Sequence, residues 1–284
     1  MNPYLLLVFA LWKTETGPAY TGTVKVAEFA TRGLVAPALL KVRVYLPPGY
    51  SPQGHYPVLY ATDGQNGFQG GQYGDWHFDE VAQRMILAKQ IPPIMIVTVD
   101  APNGDFRQDY YTARRTWDRS RKAEIGGKAE QYAQFLVGLK AKVDHDFATD
   151  PGDAAVLGSS LGGLFSVYAG YAHPEVFGRV AALSPSFWWA GRPGTGELVS
   201  RAALTHPPRR VWIDIGDQES FDPDPCEHKV EAEENVQKAQ AMAEWLTSGG
   251  AEVHYQCYRG AGHNEKSWSE RLPSVLEWLY RDKR

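Results

Sequence analysis

From Tyr56 to the C-terminus the sequence repeats one rhythm: a strand-length apolar run, a turn, then apolar residues at helical spacing. Such a chain has few options. Each amphipathic helix must cover a sheet face, and a helix placed between two strands lets them run parallel. The pattern therefore predicts an α/β fold around a mostly parallel sheet. Six runs read as strands here: Tyr56–Thr62, Ile94–Val99, Ala154–Leu157, Val180–Leu183, Val211–Ile215 and Val253–Tyr258. Ile94–Val99 is almost continuously apolar, as expected of a strand buried on both faces. Tyr132, Phe135, Leu136, Leu139 and Val143 mark one helix. Val236, Ala239, Ala243 and Leu246 mark a second, stopped by Gly249-Gly250, and Leu272, Val275, Leu276 and Leu279 mark the last. The first part differs. Thr23–Phe29 and Leu40–Leu46 alternate with little helical potential between them, which predicts an antiparallel pair at the sheet edge. The expected sheet thus has eight strands, with helices on both faces. No repeat or linker divides the 284 residues, so the chain reads as one domain, 1–284, with an N-terminal segment 1–20 and a core 21–284.

Composition narrows the function. An apolar content of 43% excludes a disordered chain, and a net charge of −4 offers no basic face to nucleic acid. Leu5–Trp12 is an apolar run far short of the ~20 residues of a spanning helix. It also lacks the basic lead and small-residue cleavage site of a secretory signal. A packed N-terminal segment and a cytoplasmic location are expected, with export through a weak signal as the alternative. Cys226 and Cys257 cannot form a disulfide scaffold and are read as two thiols rather than a bridge, although their segments lead from and toward candidate site loops. The nine Trp are conspicuous, and Trp76, Trp188, Trp189 and Trp268 fall near candidate site motifs.

The chemistry concentrates where Ala154-Ala155-Val156-Leu157 runs into Gly158-Ser159-Ser160-Leu161-Gly162-Gly163. Gly-X-Ser-X-Gly alone is a weak signal. Here a strand precedes it and a helix starting Leu164-Phe165-Ser166-Val167-Tyr168 follows it. That is the context of a nucleophile elbow, in which the turn is so tight that only glycine fits two residues before and after the serine. Ser160 would stand exposed at a helix N-terminus, where the dipole favours developing negative charge.

A serine nucleophile needs a general base. Of eight His, His263 fits best, since Gly260-Ala261-Gly262-His263-Asn264 is a loop between the last strand and the last helix. The acid that orients it should follow the preceding strand, which ends at Gly216-Asp217-Gln218-Glu219. Glu219 lies deeper in the loop and is favoured, with Asp217 as the alternative, and Asp214 within the strand reads as structural. The chain order of serine, acid and histidine is that of α/β hydrolases. Two backbone donors must hold an oxyanion. The amide of Leu161, next after the serine, is one, and the amide of Gln65, in Asp63-Gly64-Gln65-Asn66-Gly67 after the third strand, is the other.

With these residues placed, the chain resembles the esterase D-like family of α/β hydrolases. That family includes feruloyl, acetylxylan and enterochelin-type esterases, S-formylglutathione hydrolases and mycolyltransferase antigens. The resemblance rests on Val44-Tyr45-Leu46-Pro47-Pro48-Gly49-Tyr50, Tyr56-Pro57-Val58-Leu59-Tyr60, Asp63-Gly64-Gln65-Asn66 and the Ser160 motif. It continues through His173-Pro174-Glu175-Val176-Phe177-Gly178 and Ser184-Pro185-Ser186-Phe187-Trp188-Trp189. Arg107-Gln108-Asp109-Tyr110 matches the family's Arg-X-X-Glu-Tyr with Asp in place of Glu. The resemblance puts the family's serine on Ser160, its histidine on His263 and its acid position on Glu219, where Asp is frequent. It implies a cofactor-free serine esterase with an acyl-enzyme on Ser160 and no metal. The substrate would be a small short-acyl or aryl ester of feruloyl type, contacted by Trp188, Trp189, Asn66 and Arg107, with a structural ion pair as the alternative role of Arg107. An acyltransferase on the same triad and a siderophore- or polyester-type hydrolase are the alternatives. Neither nucleic acid nor membrane is an expected partner, and the oligomeric state is not encoded legibly.

Overall fold

The computed structural model describes residues 5–6, 11–16, 20–31, 39–101, 106–119, 121–189, 207–222 and 224–281, the side chains of 5, 6, 31, 225 and 226 excepted. Twelve strands and six helices are described. The N-terminal strands are β1 (Leu5–Leu6), β2 (Lys13–Glu15), β3 (Thr23–Thr31) and β4 (Leu39–Leu46). Then come β5 (Tyr56–Ala61), α1 (Phe78–Leu87), β6 (Met95–Val99), α2 (Phe106–Tyr110) and the hairpin β7 (Arg115–Asp118) and β8 (Ala123–Gly126). The remainder is α3 (Ala129–Asp146), β9 (Thr149–Ser159), α4 (Leu161–Ala172), β10 (Phe177–Leu183), β11 (Arg210–Gly216), α5 (Pro225–Ser248), β12 (Glu252–Tyr258) and α6 (Glu265–Tyr280).

The main sheet runs β1-β3-β4-β6-β5-β9-β10-β11-β12, with β2 also paired to β3. From β6 to β12 all neighbours are parallel, and β1, β2, β3 and β4 join antiparallel. All eight expected strands are present, but the described sheet has ten. The two extra strands come from segment 1–20 and pair with the two ends of β3. They escape a reading based on apolar alternation because they are two and three residues long and are tied to β3 by backbone hydrogen bonds. Trp12 anchors the segment, packing on Phe29 and Phe147 and donating its Nε1–H to Asp146 at 2.7 Å.

Strand alternation builds a core on each face. Val58, Tyr60, Val156, Val180 and Ile213 point to the face covered by α3, α4 and α5, where Tyr132, Phe165 and Met242 are buried. Leu59, Ala155, Leu157, Ala181 and Trp212 point to the face covered by α1 and α6, where Met85, Leu272 and Leu276 are buried. The parallel run has one consequence for the site. The C-terminal ends of β5, β9, β10, β11 and β12 lie along one sheet edge, so Asp63, Ser160, Ser184, Glu219 and His263 follow strands that end side by side.

The tightest joint in this frame is the crossing of β9 and α4. A Cβ on Gly158 would lie 2.4 Å from the carbonyl carbon of Gly162 and 2.5 Å from Thr62 Oγ1. Gly158→Ala is therefore expected to destabilise the fold by about 2 kcal/mol or more, as overpacking against backbone does, read as a lowered urea midpoint at unchanged slope.

Candidate active site

Ser160 stands between β9 and α4 with φ 55° and ψ −125°, a backbone conformation that L residues seldom occupy. Backbone bonds hold it there. Its amide donates to Leu183 O, and its carbonyl accepts from the amides of Leu164 and Ser186, each at 3.0 Å. The side chain is half-buried, and its Oγ lies 3.2 Å from Ser186 Oγ.

His263 and Glu219 meet across the loops after β12 and β11. His263 Nδ1 lies 2.9 Å from Glu219 Oε2. A carboxylate there calls for Nδ1–H, which leaves Nε2 as a lone-pair acceptor. Nε2 has no hydrogen-bond partner, so the Ser160–His263 bond is not made in this structure. The imidazole stands edge-on between Phe221 and Trp268, with ring centroids 5.1 and 5.0 Å away.

Glu219 is buried and held from several sides. Its Oε1 accepts from Ser184 Oγ at 2.5 Å and from the Gly216 amide at 2.6 Å, and Arg271 Nη2 lies 3.5 Å away. Ser184 Oγ in turn accepts from Trp268 Nε1 at 2.8 Å. Asp217, the other carboxylate of this loop, turns elsewhere, accepting from the Gly260 amide at 2.7 Å and from Gln218 Nε2 at 3.1 Å. Of the two, Glu219 is the one that meets His263.

The loop after β5 forms a short 3-10 turn, Gly64–Asn66. The turn's own bonds use the amides of Asn66 and Gly67, and that of Gln65 takes no part in them. Side chains clamp it. Gln65 Oε1 accepts from the Ala101 amide at 2.8 Å, and Asp63, at φ 55°, is gripped by Arg107 through Nε at 2.9 Å and Nη2 at 3.2 Å. Arg107 thus spends its guanidinium on Asp63, the structural ion pair that the sequence allowed beside a substrate contact. Asn66 is likewise occupied. It is 4% exposed and donates Nδ2–H to Glu265 Oε1 at 3.0 Å. Trp188 is 46% exposed and Trp189 half-buried, a tilted pair 5.6 Å apart that follows Ser186 closely. Trp76 and Trp268 are buried and stack on one another.

Sequence reasoning missed Ser184, Ser186, Phe221 and Arg271 as parts of the site. Arg271 carried a signal, since it lies on the apolar stripe of α6 beside Trp268, Leu272 and Val275, where a charge needs a buried partner. Cys257 is a free, half-buried thiol whose pKa burial raises, and the Cys226 side chain lies outside the described residues. Among the described residues, no cluster of His, Cys, Asp and Glu could hold a metal ion, and no helix is long and apolar enough to cross a membrane.

A serine elbow over a parallel sheet, with a histidine and a carboxylate paired at the same edge, is the arrangement of α/β hydrolases. The family model described as "Putative esterase" matches residues 37–279, and the chain belongs to that family. The uncharacterized protein YbbA of Bacillus subtilis is 25% identical over 247 residues, covering 84% of this chain and 91% of that one. The iron(III) enterobactin esterase of Dickeya dadantii is 27% identical over 193 residues, which is 68% of this chain but only 41% of that relative's length. Among solved structures, the siderophore hydrolase EstA from Aspergillus nidulans superposes with a TM-score of 0.70 at 18% identity, over 94% of this chain and 98% of its own.

The two carboxylates of the β11 loop separate cleanly in a kinetic test. Glu219→Gln is expected to lower kcat for an activated ester by roughly 10²–10⁴-fold, because His263 loses its anionic partner. Asp217→Asn is expected to stay within about twofold of the parent, since it touches only loop groups.

Proposed function

We propose that this chain is a serine esterase acting through an acyl-enzyme on Ser160. The observation that carries the proposal is the His263–Glu219 pair at 2.9 Å, with Nε2 left unpartnered at the sheet edge that carries the Ser160 elbow. Ser160 Oγ leaves Ser186 and attacks the ester carbonyl carbon while His263 Nε2 takes its proton. The tetrahedral oxyanion is held by the amides of Leu161 and Gln65, aided by the N-terminal dipole of α4. Glu219 stabilises the imidazolium and fixes its tautomer. His263 then hands the proton to the departing alkoxide. In the second half, water attacks the acyl carbon, His263 takes its proton, and that proton returns to Ser160 Oγ as the acid leaves.

We assign the substrate to small esters that carry an aromatic group, of feruloyl or siderophore type. The exposed rings of Trp188, in the loop after β10, and of Phe221, packed edge-on against His263, support this class. The name of the Dickeya relative, an enterobactin esterase, points the same way.

Ser160→Ala is expected to reduce ester hydrolysis by at least about 10³-fold, and hydrolysis at the parent rate would refute the mechanism. A serine-directed phosphonate should label Ser160, as peptide mapping would read. A panel of acetyl, butyryl, feruloyl and siderophore esters tests the substrate class, with kcat/KM highest for the aryl members. Product analysis with an added alcohol separates hydrolysis from acyl transfer: free acid is the expected main product.

A further inference from the structure

Beneath the histidine lies a buried cation shared by two carboxylates. Arg271 is 3% exposed. Its Nη1 donates to Asp214 Oδ1 at 2.8 Å and to Ser184 Oγ at 3.1 Å, and its Nη2 lies 3.5 Å from Glu219 Oε1. Asp214 is fully enclosed and also accepts from Trp212 Nε1 at 2.8 Å and from the Ser184 amide at 3.2 Å. One cation and two anions leave a net charge of −1 among side chains that are all buried, where such an imbalance is unfavourable. His263, against the far oxygen of Glu219, is the group placed to supply the missing positive charge when it takes a proton.

We infer that Asp214 is a positioning residue that acts by charge: by occupying Arg271, it leaves the charge of Glu219 free for the His263 imidazolium. The inference rests on the serine–histidine–acid reading above. Without Asp214, Arg271 would close the remaining gap and neutralise Glu219. The imidazolium would lose its partner, and His263 would become a weaker base. Without Arg271, two uncompensated carboxylates would make His263 a stronger base. The two removals therefore move one observable in opposite directions, which loss of packing alone would not do.

Other ionisable groups face this pocket. From β12 come Tyr258, whose ring lies 4.8 Å from the Arg271 guanidinium carbon, Cys257, and, just beyond the strand, the exposed Arg259. Burial raises the pKa of both Tyr258 and Cys257, so neither is charged at neutral pH. Asp217 faces the Gly260 amide, Glu265 at the start of α6 is bonded to Asn66, and Glu231 of α5 is bonded to Ser220 and has His228 nearby. Burial pushes Asp214 up to about 6 against the lowering pull of Arg271, and the N–H groups of Arg271, Trp212 and Ser184 that converge on its two oxygens are partners for a carboxylate. All of these other groups are common to the parent and the variants, so the difference isolates Asp214 and Arg271.

The test is the ring-proton NMR titration of His263, together with the acid limb of the pH dependence of kcat/KM. In Asp214→Asn, which keeps the shape of the side chain, the His263 pKa is expected to fall by about one unit. At neutral pH kcat should fall by about tenfold with KM nearly unchanged. In Arg271→Gln the His263 pKa is expected to rise. A folded Asp214→Asn protein, judged by near-UV circular dichroism, with an unmoved His263 titration would overturn the inference. If that variant does not fold, an unmoved or lowered titration in Arg271→Gln would do so. The NMR readout does not depend on catalysis. An active Ser160→Ala protein would sink the serine mechanism, whereas an inactive one beside an unmoved histidine would sink only the role of Asp214.

Discussion

The site hangs on one close approach. Helix α4 starts so near the end of β9 that Gly158 and Gly162 touch through backbone, and Thr62 closes the third side. The chain can turn there only if the residue between them adopts φ 55°, and that residue is Ser160. Such a conformation costs on the order of 1–3 kcal/mol and persists because the surroundings over-determine it. Here the surroundings are the backbone bonds of Ser160 to Leu183, Leu164 and Ser186, which tie the strained residue to β10 and to its own helix. The strain has a use. It lifts the hydroxyl off the sheet edge, and in the proposed mechanism charge developing near Ser160 would meet the dipole of the helix that starts there.

The acid side of the site is organised differently, by burial rather than strain. Glu219, Asp214, Ser184, Arg271 and Trp268 form a connected polar cluster between β11 and α6, almost every donor and acceptor of which is spent within it. In a low-dielectric pocket such a network is rigid when satisfied and costly when broken. Rings on two sides of His263 restrict its motion further. The turn after β5 is clamped by a second, separate set of contacts around Asp63 and Arg107. The Ser160 elbow, the His263–Glu219 pair and the turn after β5 are therefore held by three separate devices on one sheet.

Most of the fold was legible in the sequence because hydrophobic period reports burial, and burial on both sheet faces is what an α/β fold requires. All eight strands with a strong apolar pattern are present. The misses have one physical cause. β1, β2 and the β7–β8 hairpin are short, and where their side chains are described most are exposed, so they carry little periodic signal. The turn at Ser160 was legible for a different reason: a glycine two positions before and two after a serine, between a strand and a helix, reflects a steric requirement that leaves its mark in sequence. The surroundings of the site were less so. In sequence Arg107 suits a substrate contact or a structural ion pair equally and Asn66 a substrate contact, and in the fold each is engaged by a carboxylate of its own, Asp63 and Glu265.

By itself the sequence determined the α/β architecture, the place of the Ser160 elbow and the order in which serine, acid and histidine follow one another. These are local or periodic properties, set by sterics and by the solvent aversion of regularly spaced apolar groups. Only the tertiary structure decided which carboxylate of the β11 loop meets His263, that Ser184 and Arg271 hold it, and that Asp214 competes for the same cation. Those choices depend on where distant segments, from residue 184 to residue 271, converge in three dimensions. Buried charges are matched by geometry across the fold, and no spacing along the chain records that match.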